Sequence, residues 1–219
     1  MKIFMTIARI GFCVLAFVMA GLAQTPDSLL TQGNEQLRQK KYEDASASYT
    51  ECLKLAPRDT RCLFNRGLAR SIAIGYGLAV EDFSAVIAID PAHFKAWNQR
   101  GETYFSMRQP EKALADLNKA IELKANYADA FYNRARVYAG KKENDAAIAD
   151  YSKAVLFDPK MDIAWAFRAL LYKEKGDLDK ALADLTKAVE LAPNDAYYLY
   201  NRGEILFETR QVGPRGSGF

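Results

Sequence analysis

Between Ala128 and Met161 the chain reads ADAFYNRARVYAGKKENDAAIADYSKAVLFDPKM, and this pattern returns when the sequence is shifted by 34 residues in either direction. One alanine marks the period, and it recurs at Ala45, Ala79, Ala113, Ala147 and Ala181. A proline ends four of the repeats, at Pro57, Pro91, Pro159 and Pro193. A self-similar period of this length predicts a stack of identical supersecondary units, in which each unit contacts only its neighbours.

Each repeat carries two helical stripes. In its first half, large, small and large side chains follow at i, i+4 and i+7, as in Phe131, Ala135 and Tyr138. In its second half, small and large residues alternate at helical spacing, from Ala147 to Ala154. Such spacing places each set on one helical face, where the small residues let two helices approach closely. The sequence therefore predicts an all-α solenoid of antiparallel helix pairs.

The period also divides the chain. Five full 34-residue repeats plus one extra helix are predicted, with repeats starting near residues 26, 60, 94, 128, 162 and 196 in a solenoid that spans 24–209. Residues 210–219 contain three glycines and a proline, which disfavour a helix, so they are predicted to form a flexible tail.

The first 23 residues do not follow the repeat. Lys2 and Arg9 give a basic start, 10–20 is almost wholly apolar, and small residues precede Ala23. This layout predicts a secretory signal peptide over 1–23 and an exported protein, periplasmic or secreted. If the segment is not cleaved, it becomes a membrane anchor instead.

Charge and composition exclude several function classes. Removing 1–23 takes away two basic and no acidic residues, which lowers the net charge from +3 to +1. That balance disfavours a nucleic-acid partner, and no membrane contact is expected after signal cleavage. The single histidine, His93, lies in a turn, and no phosphate-binding glycine loop or metal-spaced cluster is present. We therefore predict a non-enzymatic protein with no catalytic residue, cofactor or metal.

Opposite charges recur beside the buried stripes. An arginine precedes the small residue of the first helix at Arg66, Arg100, Arg134 and Arg168. An aspartate follows the marker alanine by three residues at Asp82, Asp116, Asp150 and Asp184. We predict an ion pair within each repeat; the alternative pairs each aspartate with the arginine of the next repeat.

Two cysteines remain beyond the first 23 residues. Cys52 and Cys62 flank the turn at Pro57. In an oxidising compartment an even pair favours a disulfide. The alternative is two reduced core residues, because a bridge requires Cα atoms within about 7 Å.

Residues 26–209 resemble the tetratricopeptide repeat, a helix-turn-helix unit of this length. The resemblance implies a right-handed superhelix whose first helices line a concave groove, and a scaffold that binds a protein or peptide ligand there. It points to an amide series in the groove at Asn65, Gln99, Asn133 and Asn201. Side-chain amides both donate and accept, so they suit an extended backbone. The alternative is a solvated polar strip.

Aromatic and basic residues surround the amide series, at Phe64, Lys95, Asn98, Tyr132, Arg136, Lys173, Tyr197 and Tyr200. Such anchors suit a peptide with apolar and acidic side chains. One subclass of the family holds a C-terminal carboxylate with a lysine-asparagine-asparagine-lysine-arginine set. Asn34, Asn65 and Lys95 match it, but Leu30 and Gln99 depart from it, so two of the three cations are absent. We therefore do not predict a carboxylate clamp.

The unfinished sixth repeat supports a second interpretation. Its outer face, with Leu199, Leu206 and Phe207, has no second helix to cover it. Exposed apolar surface of this kind marks an interface or an incomplete chain. The alternative function is a structural assembly subunit that forms a homodimer through its C-terminal helix.

Overall fold

The computed structural model describes residues 24–212, and over that range it contains helices and turns but no strand. Its eleven helices are α1 (Pro26–Arg38), α2 (Tyr42–Leu55), α3 (Thr60–Ile72), α4 (Tyr76–Ile89), α5 (Phe94–Ser106), α6 (Pro110–Leu123), α7 (Ala128–Gly140), α8 (Asn144–Phe157), α9 (Asp162–Glu174), α10 (Leu178–Leu191) and α11 (Ala196–Val212). The all-α prediction is confirmed. The predicted signal peptide at 1–23 lies outside the described residues, as do residues 213–219.

The helices form antiparallel pairs, beginning with α1 and α2 and ending with α9 and α10, while α11 has no second helix among the described residues. Each second helix also packs on the first helix of the next repeat. First helices contact one another directly from α1 to α3, from α3 to α5 and from α5 to α7. The predicted solenoid of helix pairs is therefore confirmed.

Short turns make the pairs antiparallel. Three residues join the two helices of each repeat, and the middle one has a positive φ at Lys40, Ile74, Arg108, Lys142 and Gly176. The amide that follows donates to a carbonyl in the last turn of the first helix, for example from Gly75 to Arg70 at 2.8 Å. This left-handed end satisfies the free carbonyls of the helix and reverses the chain within a few residues.

Small residues allow the helices of a pair to touch. A Cβ atom on Gly33 would lie 2.5 Å from the Tyr49 ring, and one on Gly67 would lie 2.7 Å from the Phe83 ring. In the fourth repeat Ala135 is fully buried in the same core cluster as Tyr151. The predicted large and small stripes are thus the contact surfaces of the hairpins.

The ion pairs form within repeats, as predicted, and the alternative register is wrong. Nitrogen–oxygen distances are 2.7 Å for Arg66–Asp82, 2.7 Å for Arg100–Asp116, 2.6 Å for Arg134–Asp150 and 2.7 Å for Arg168–Asp184. We call these four arginines the seam arginines. The pairing follows from the hairpin, since an antiparallel return brings residues sixteen apart onto the same seam.

Each seam arginine also reaches the preceding repeat. Its Nη1 donates to a side-chain oxygen on the previous second helix, at Thr50 (3.2 Å), Ser84 (2.9 Å), Asn118 (2.6 Å) or Ser152 (2.9 Å). One guanidinium therefore joins three helices, and the seam arginines link repeats as well as hairpins.

The last helix extends further than expected. α11 continues to Val212, so Arg210, Gln211 and Val212 are helical although the tail was predicted to begin at 210. The physical reason is that the first helix-breaking residue of that segment is Gly213.

Candidate binding groove

Three successive first helices surround a cavity of about 290 Å³, which we call the central pocket. α3 contributes Phe64, α5 contributes four residues, and the start of α7 with the residue before it contributes four more. Its lining residues are Phe64, Lys95, Asn98, Gln99, Glu102, Tyr127, Asp129, Tyr132 and Asn133. Six residues named from the sequence thus come together, while Glu102, Tyr127 and Asp129 were not foreseen.

The amides of the pocket bond to one another. The buried Asn133 side chain donates to Asn98 Oδ1 at 3.1 Å, and Asn98 Nδ2 donates to Gln99 Oε1 at 3.1 Å. Asn133 is 6% exposed and Asn98 is 2% exposed. The amide series is therefore a connected network inside the groove wall, and only part of it faces outward.

At the two ends of the groove the amides also have local partners. Asn65 Nδ2 donates to Asn34 Oδ1 at 2.9 Å, and the Tyr49 hydroxyl donates to the same oxygen at 2.8 Å. Asn201 Nδ2 donates to the Tyr197 carbonyl of its own helix at 2.7 Å. The two asparagines that match the carboxylate clamp are thus bonded to each other.

Two of the three groove cations are neutralised. Arg136 Nη1 lies 3.1 Å from Glu102 Oε1 and 3.2 Å from Asn133 Oδ1. Lys173 Nζ lies 2.9 Å from Glu204 and 3.1 Å from Glu208. Lys95 is the one predicted groove cation that lines the pocket, and the carboxylates of Glu102 and Asp129 line it as well. The expected preference for acidic peptides therefore loses its electrostatic basis.

Both tyrosine hydroxyls of the pocket stay protonated and therefore neutral. Burial raises the pKa of the Tyr132 hydroxyl. Burial also raises the pKa of Tyr127, and the nearby carboxylates of Asp129 and Glu102 raise it further. Tyr132 contacts Tyr151 and Phe167, with ring centroids 5.9 and 6.3 Å apart, and the Arg136 guanidinium lies 5.6 Å from its ring. The pocket thus offers fixed rings and neutral hydroxyl donors to a bound chain.

The predicted groove residues of the last repeats lie outside the central pocket. Lys173 lies on α9, and Tyr197, Tyr200 and Asn201 lie on α11. Tyr197 and Tyr200 are exposed, at 51% and 69%. Leu199, Leu206 and Phe207 of the same helix are also exposed. We call these five residues the C-terminal face.

Cys52 and Cys62 form a disulfide with Cα atoms 6.5 Å apart. It joins α2 of the first repeat to α3 of the second. The Asp59 carboxylate lies within 4.8 Å of both sulfur atoms. Because the sulfurs are bonded to each other and Asp59 caps α3, no thiolate is left for a metal ion here.

Two further expectations from the sequence concern the role of His93 and contact with a membrane. His93 caps α5, where its Nδ1 accepts from the Ala96 amide at 3.1 Å. Among residues 24–212, no helix has the length and apolar character needed to cross a bilayer.

Comparisons with known proteins agree with this architecture. Models of the tetratricopeptide repeat match residues 30–70, 94–127 and 128–161, and a model described as TPR repeat matches residues 169–209. A crystal structure of a thermophilic TPR protein of Thermus thermophilus is similar, with a TM-score of 0.71 and 25% identity. That match covers 84% of this chain and 100% of the other.

Two curated relatives resemble part of the chain. The small glutamine-rich tetratricopeptide repeat-containing protein 2 of Saccharomyces cerevisiae is 32% identical over 100 residues, which is 46% of this chain and 29% of that protein. The heat-shock protein cognate co-chaperone sgt12 of Aspergillus fumigatus is 34% identical over 106 residues, 48% of this chain and 31% of that protein. The matched regions thus span less than a third of either relative. With its repeated helix pairs and four family matches, the chain belongs to the tetratricopeptide repeat family.

Proposed function

We propose that the protein is an exported interaction scaffold that binds an extended segment of another protein at the central pocket. One observation carries this proposal. Three successive first helices place aromatic rings, amides, a lysine and two carboxylates around a single open cavity. Rigid helices that converge on such a mixed lining suit a peptide, because rings anchor side chains and amides bond the backbone.

The charges of the pocket are balanced. Glu102 is paired with Arg136, and Lys95 and Asp129 are one cation and one anion, so the lining favours neither an acidic nor a basic segment. Phe64 and Tyr132 supply the apolar anchors. The name of the Aspergillus fumigatus relative contains the word co-chaperone, which supports a role in protein–protein contacts, and family membership supports a non-enzymatic role.

Affinity capture tests the groove. We expect a double variant, Lys95→Ala with Asp129→Ala, to lose the proteins that the unaltered chain retains, because both side chains line the pocket and are exposed. The matched control is Glu81→Ala with Lys153→Ala, which also removes one acid and one base, from exposed positions of second helices. Equal retention by all three proteins would remove the groove from the proposal and leave the fold untouched.

Export is the second part of the proposal. The basic start, the apolar run and the small residues before Ala23 support it, and so does a disulfide, which persists in oxidising compartments. We expect the intact mass of protein recovered outside the cytoplasm to correspond to a chain that begins at Gln24, without free thiols. A chain that still begins at Met1, or two titratable thiols in the denatured, unreduced protein, would contradict it.

An assembly subunit is the alternative function. The C-terminal face favours it, because Tyr200 and Phe207 are 69% and 63% exposed on the last described helix. A helix with such an apolar outer surface is suited to a second copy of the chain.

A further inference from the structure

A second cavity, of about 440 Å³, lies between α2 and the α3–α4 turn. We call it the notch. It shares no lining residue with the central pocket, so it is a separate surface. The lining residues that matter here are Ser46, Ala47, Arg70, Ala73, Gly75 and Leu78.

Three positions beside the notch carry smaller residues than the same positions of later repeats. Ser46 stands where later repeats have larger apolar side chains, at Val80, Leu114, Ile148 and Leu182. Ala73 stands where they have Met107, Lys141 and Lys175. Gly75 stands where they have Gln109, Glu143 and Asp177. All three positions therefore carry smaller side chains than their counterparts, and the notch lies beside them.

Arg70 stands at the register of a tyrosine. Later repeats carry Tyr104, Tyr138 and Tyr172 there. The Arg70 guanidinium turns to Asp82 Oδ2 at 2.7 Å and shares that carboxylate with Arg66. No aromatic ring of the chain therefore stands at this register in the second repeat.

In the third to fifth repeats, the tyrosine at the position of Arg70 lies close to the seam arginine of its own repeat. Arg100 has its guanidinium carbon 4.8 Å from the Trp97 ring and 5.9 Å from the Tyr104 ring. Arg134 and Arg168 are flanked in the same way by Phe131 with Tyr138 and by Trp165 with Tyr172. The second repeat has Leu63 and Arg70 at the two ring registers, so among residues 24–212 Arg66 alone of the seam arginines has no ring beside it.

Arg66, the counterpart of the seam arginines that rings contact in other repeats, lies next to the notch, although it is not one of its lining residues. Arg70 lines it directly, and Thr50, which also lines it, accepts a hydrogen bond from Arg66 at 3.2 Å. Both arginines are held in place by Asp82. Fixed guanidinium groups attract the face of an aromatic ring. The internal comparison therefore indicates an aromatic occupant.

The rim of the notch is acidic. Glu43 and Glu51 both line it. Glu51 pairs with Lys54 at 2.7 Å, whereas Glu43 has no ion-pair partner in the part of the chain that the structure describes. Charge complementarity therefore favours a basic residue next to the aromatic one.

The turn beside the notch is strained and apolar. Ile74 lies between Ala73 and Gly75, has a φ of 63° and is 72% exposed. A β-branched residue in the left-handed region is unfavourable, but the conformation itself is common to the middle residue of all five turns. Ile72 and Leu78 are also exposed, at 52% and 50%. Leu78 lines the notch, and Ile72 and Ile74 add exposed apolar side chains in and before the adjoining turn, of the kind that marks an interface.

We propose that the notch is a second docking site, which receives an aromatic side chain followed by a lysine or arginine from a protein partner. Its volume lies within the range of about 300–1,000 Å³ that is usual for ligand pockets. The site is independent of the groove, so it stands or falls separately from the proposed function.

A defined peptide tests the proposal. The probe is a blocked, fluorescently labelled heptapeptide, Gly-Ser-Gly-Phe-Lys-Gly-Ser, and its affinity for the full chain is measured by fluorescence anisotropy. We expect Arg70→Tyr and Ser46→Leu each to weaken binding by at least about tenfold, since each fills the notch. Both residues already occur at these registers in other repeats, so both variants should fold, which thermal unfolding checks.

Matched controls separate the notch from the groove and from self-association. The Lys95→Ala with Asp129→Ala variant should bind the probe as well as the unaltered chain does. The same peptide with alanine for phenylalanine should lose binding, and the one with glutamate for lysine should bind more weakly. Absence of probe binding, or equal binding by the notch variants, overturns the proposal. So does a dimer of the unaltered chain that Arg70→Tyr abolishes, because the occupant would then be a second copy.

Discussion

A seam arginine combines three kinds of contact in one side chain. Arg134 pairs with Asp150 in its own repeat, donates to Asn118 of the preceding repeat, and lies 5.5 Å from the Phe131 ring. Its side chain is 19% exposed and that of Asp150 is 8% exposed. Removing either partner leaves a nearly buried charge without its counter-ion, which is costly.

The pairing predicts non-additive mutations at this scale. We expect Arg134→Ala and Asp150→Ala to show a coupling energy of about 1–3 kcal/mol in a double-mutant cycle, because each loses the same contact. Urea unfolding of the four proteins measures it.

The exposed pair Lys119–Glu122, at 2.7 Å, is the control, and its coupling should stay below about 1 kcal/mol. Simple additivity at Arg134 and Asp150 would show that the pair does not contribute as a unit.

At the scale of the helix, Asp59 shows how a capping residue acts. Its carboxylate accepts from the Arg61 and Cys62 amides at 2.9 and 3.3 Å and pairs with the Arg61 side chain at 2.6 Å. The hydrogen bond from the Arg61 side chain, helped by the two amides, holds the pKa of Asp59 below its ordinary value of 3.8, against the effect of burial. The ionised cap therefore stabilises α3.

The direction of that pKa shift predicts an acid-sensitive contribution. The unfolded carboxyl titrates near 3.8, so the stabilisation is complete above that pH and is lost as the pH falls through the lower folded value. We expect Asp59→Asn to cost about 0.5 kcal/mol at pH 7, since it keeps the cap but loses the charge. Unfolding at a series of pH values should show the difference shrinking in acid; a difference that grows there would contradict it.

The turns between helices predict an opposite pair of mutations. Ile74 and Gly176 occupy the same left-handed register, with φ values of 63° and 77°. We expect Ile74→Gly to stabilise the protein by about 1 kcal/mol and Gly176→Ile to destabilise it by a similar amount, because only glycine adopts this region without strain. Thermal and urea unfolding measure both, and destabilisation by Ile74→Gly would mean that the isoleucine makes contacts that outweigh its strain.

At the scale of the whole molecule, the first and the last described repeats differ in structure. At the start, the disulfide joins the first two repeats, and Gln36 accepts a hydrogen bond from Ser48 at 2.7 Å. The third to fifth repeats have a tyrosine at the position of Gln36 and a seam aspartate at that of Ser48. At the other end, α11 leaves the C-terminal face uncovered among the described residues. The first and last described units therefore differ from the middle repeats and from each other.

The C-terminal face predicts the state of assembly. If it is an interface, light scattering should show a dimer whose fraction rises with concentration, and Leu206→Glu should abolish it by placing a charge on exposed apolar surface. Leu55→Glu, at a leucine of α2 that is 55% exposed against 40% for Leu206, is the control and should leave the dimer intact. A monomer at every concentration would favour the groove scaffold over the assembly subunit.

The 34-residue period was enough to predict the helix pairs and their small and large contact residues, and it favoured the pairing of Arg134 with Asp150 over a second register that the structure excludes. These features depend on helical spacing and on the register of one short hairpin, and five copies of the pattern repeat the same information. Pairing with the preceding repeat was not predicted, because Arg134 and Asn118 belong to different hairpins.

Only the tertiary structure decided the chemistry of the surfaces. The Asn133–Asn98 hydrogen bond and the Arg136–Glu102 ion pair join residues 35 and 34 positions apart, on successive first helices. Their formation depends on how one repeat is rotated against the next, which hydrophobic spacing within a repeat does not specify. The groove therefore turned out less basic than its residues suggested, and the notch at Arg70 became visible only when neighbouring repeats were packed together.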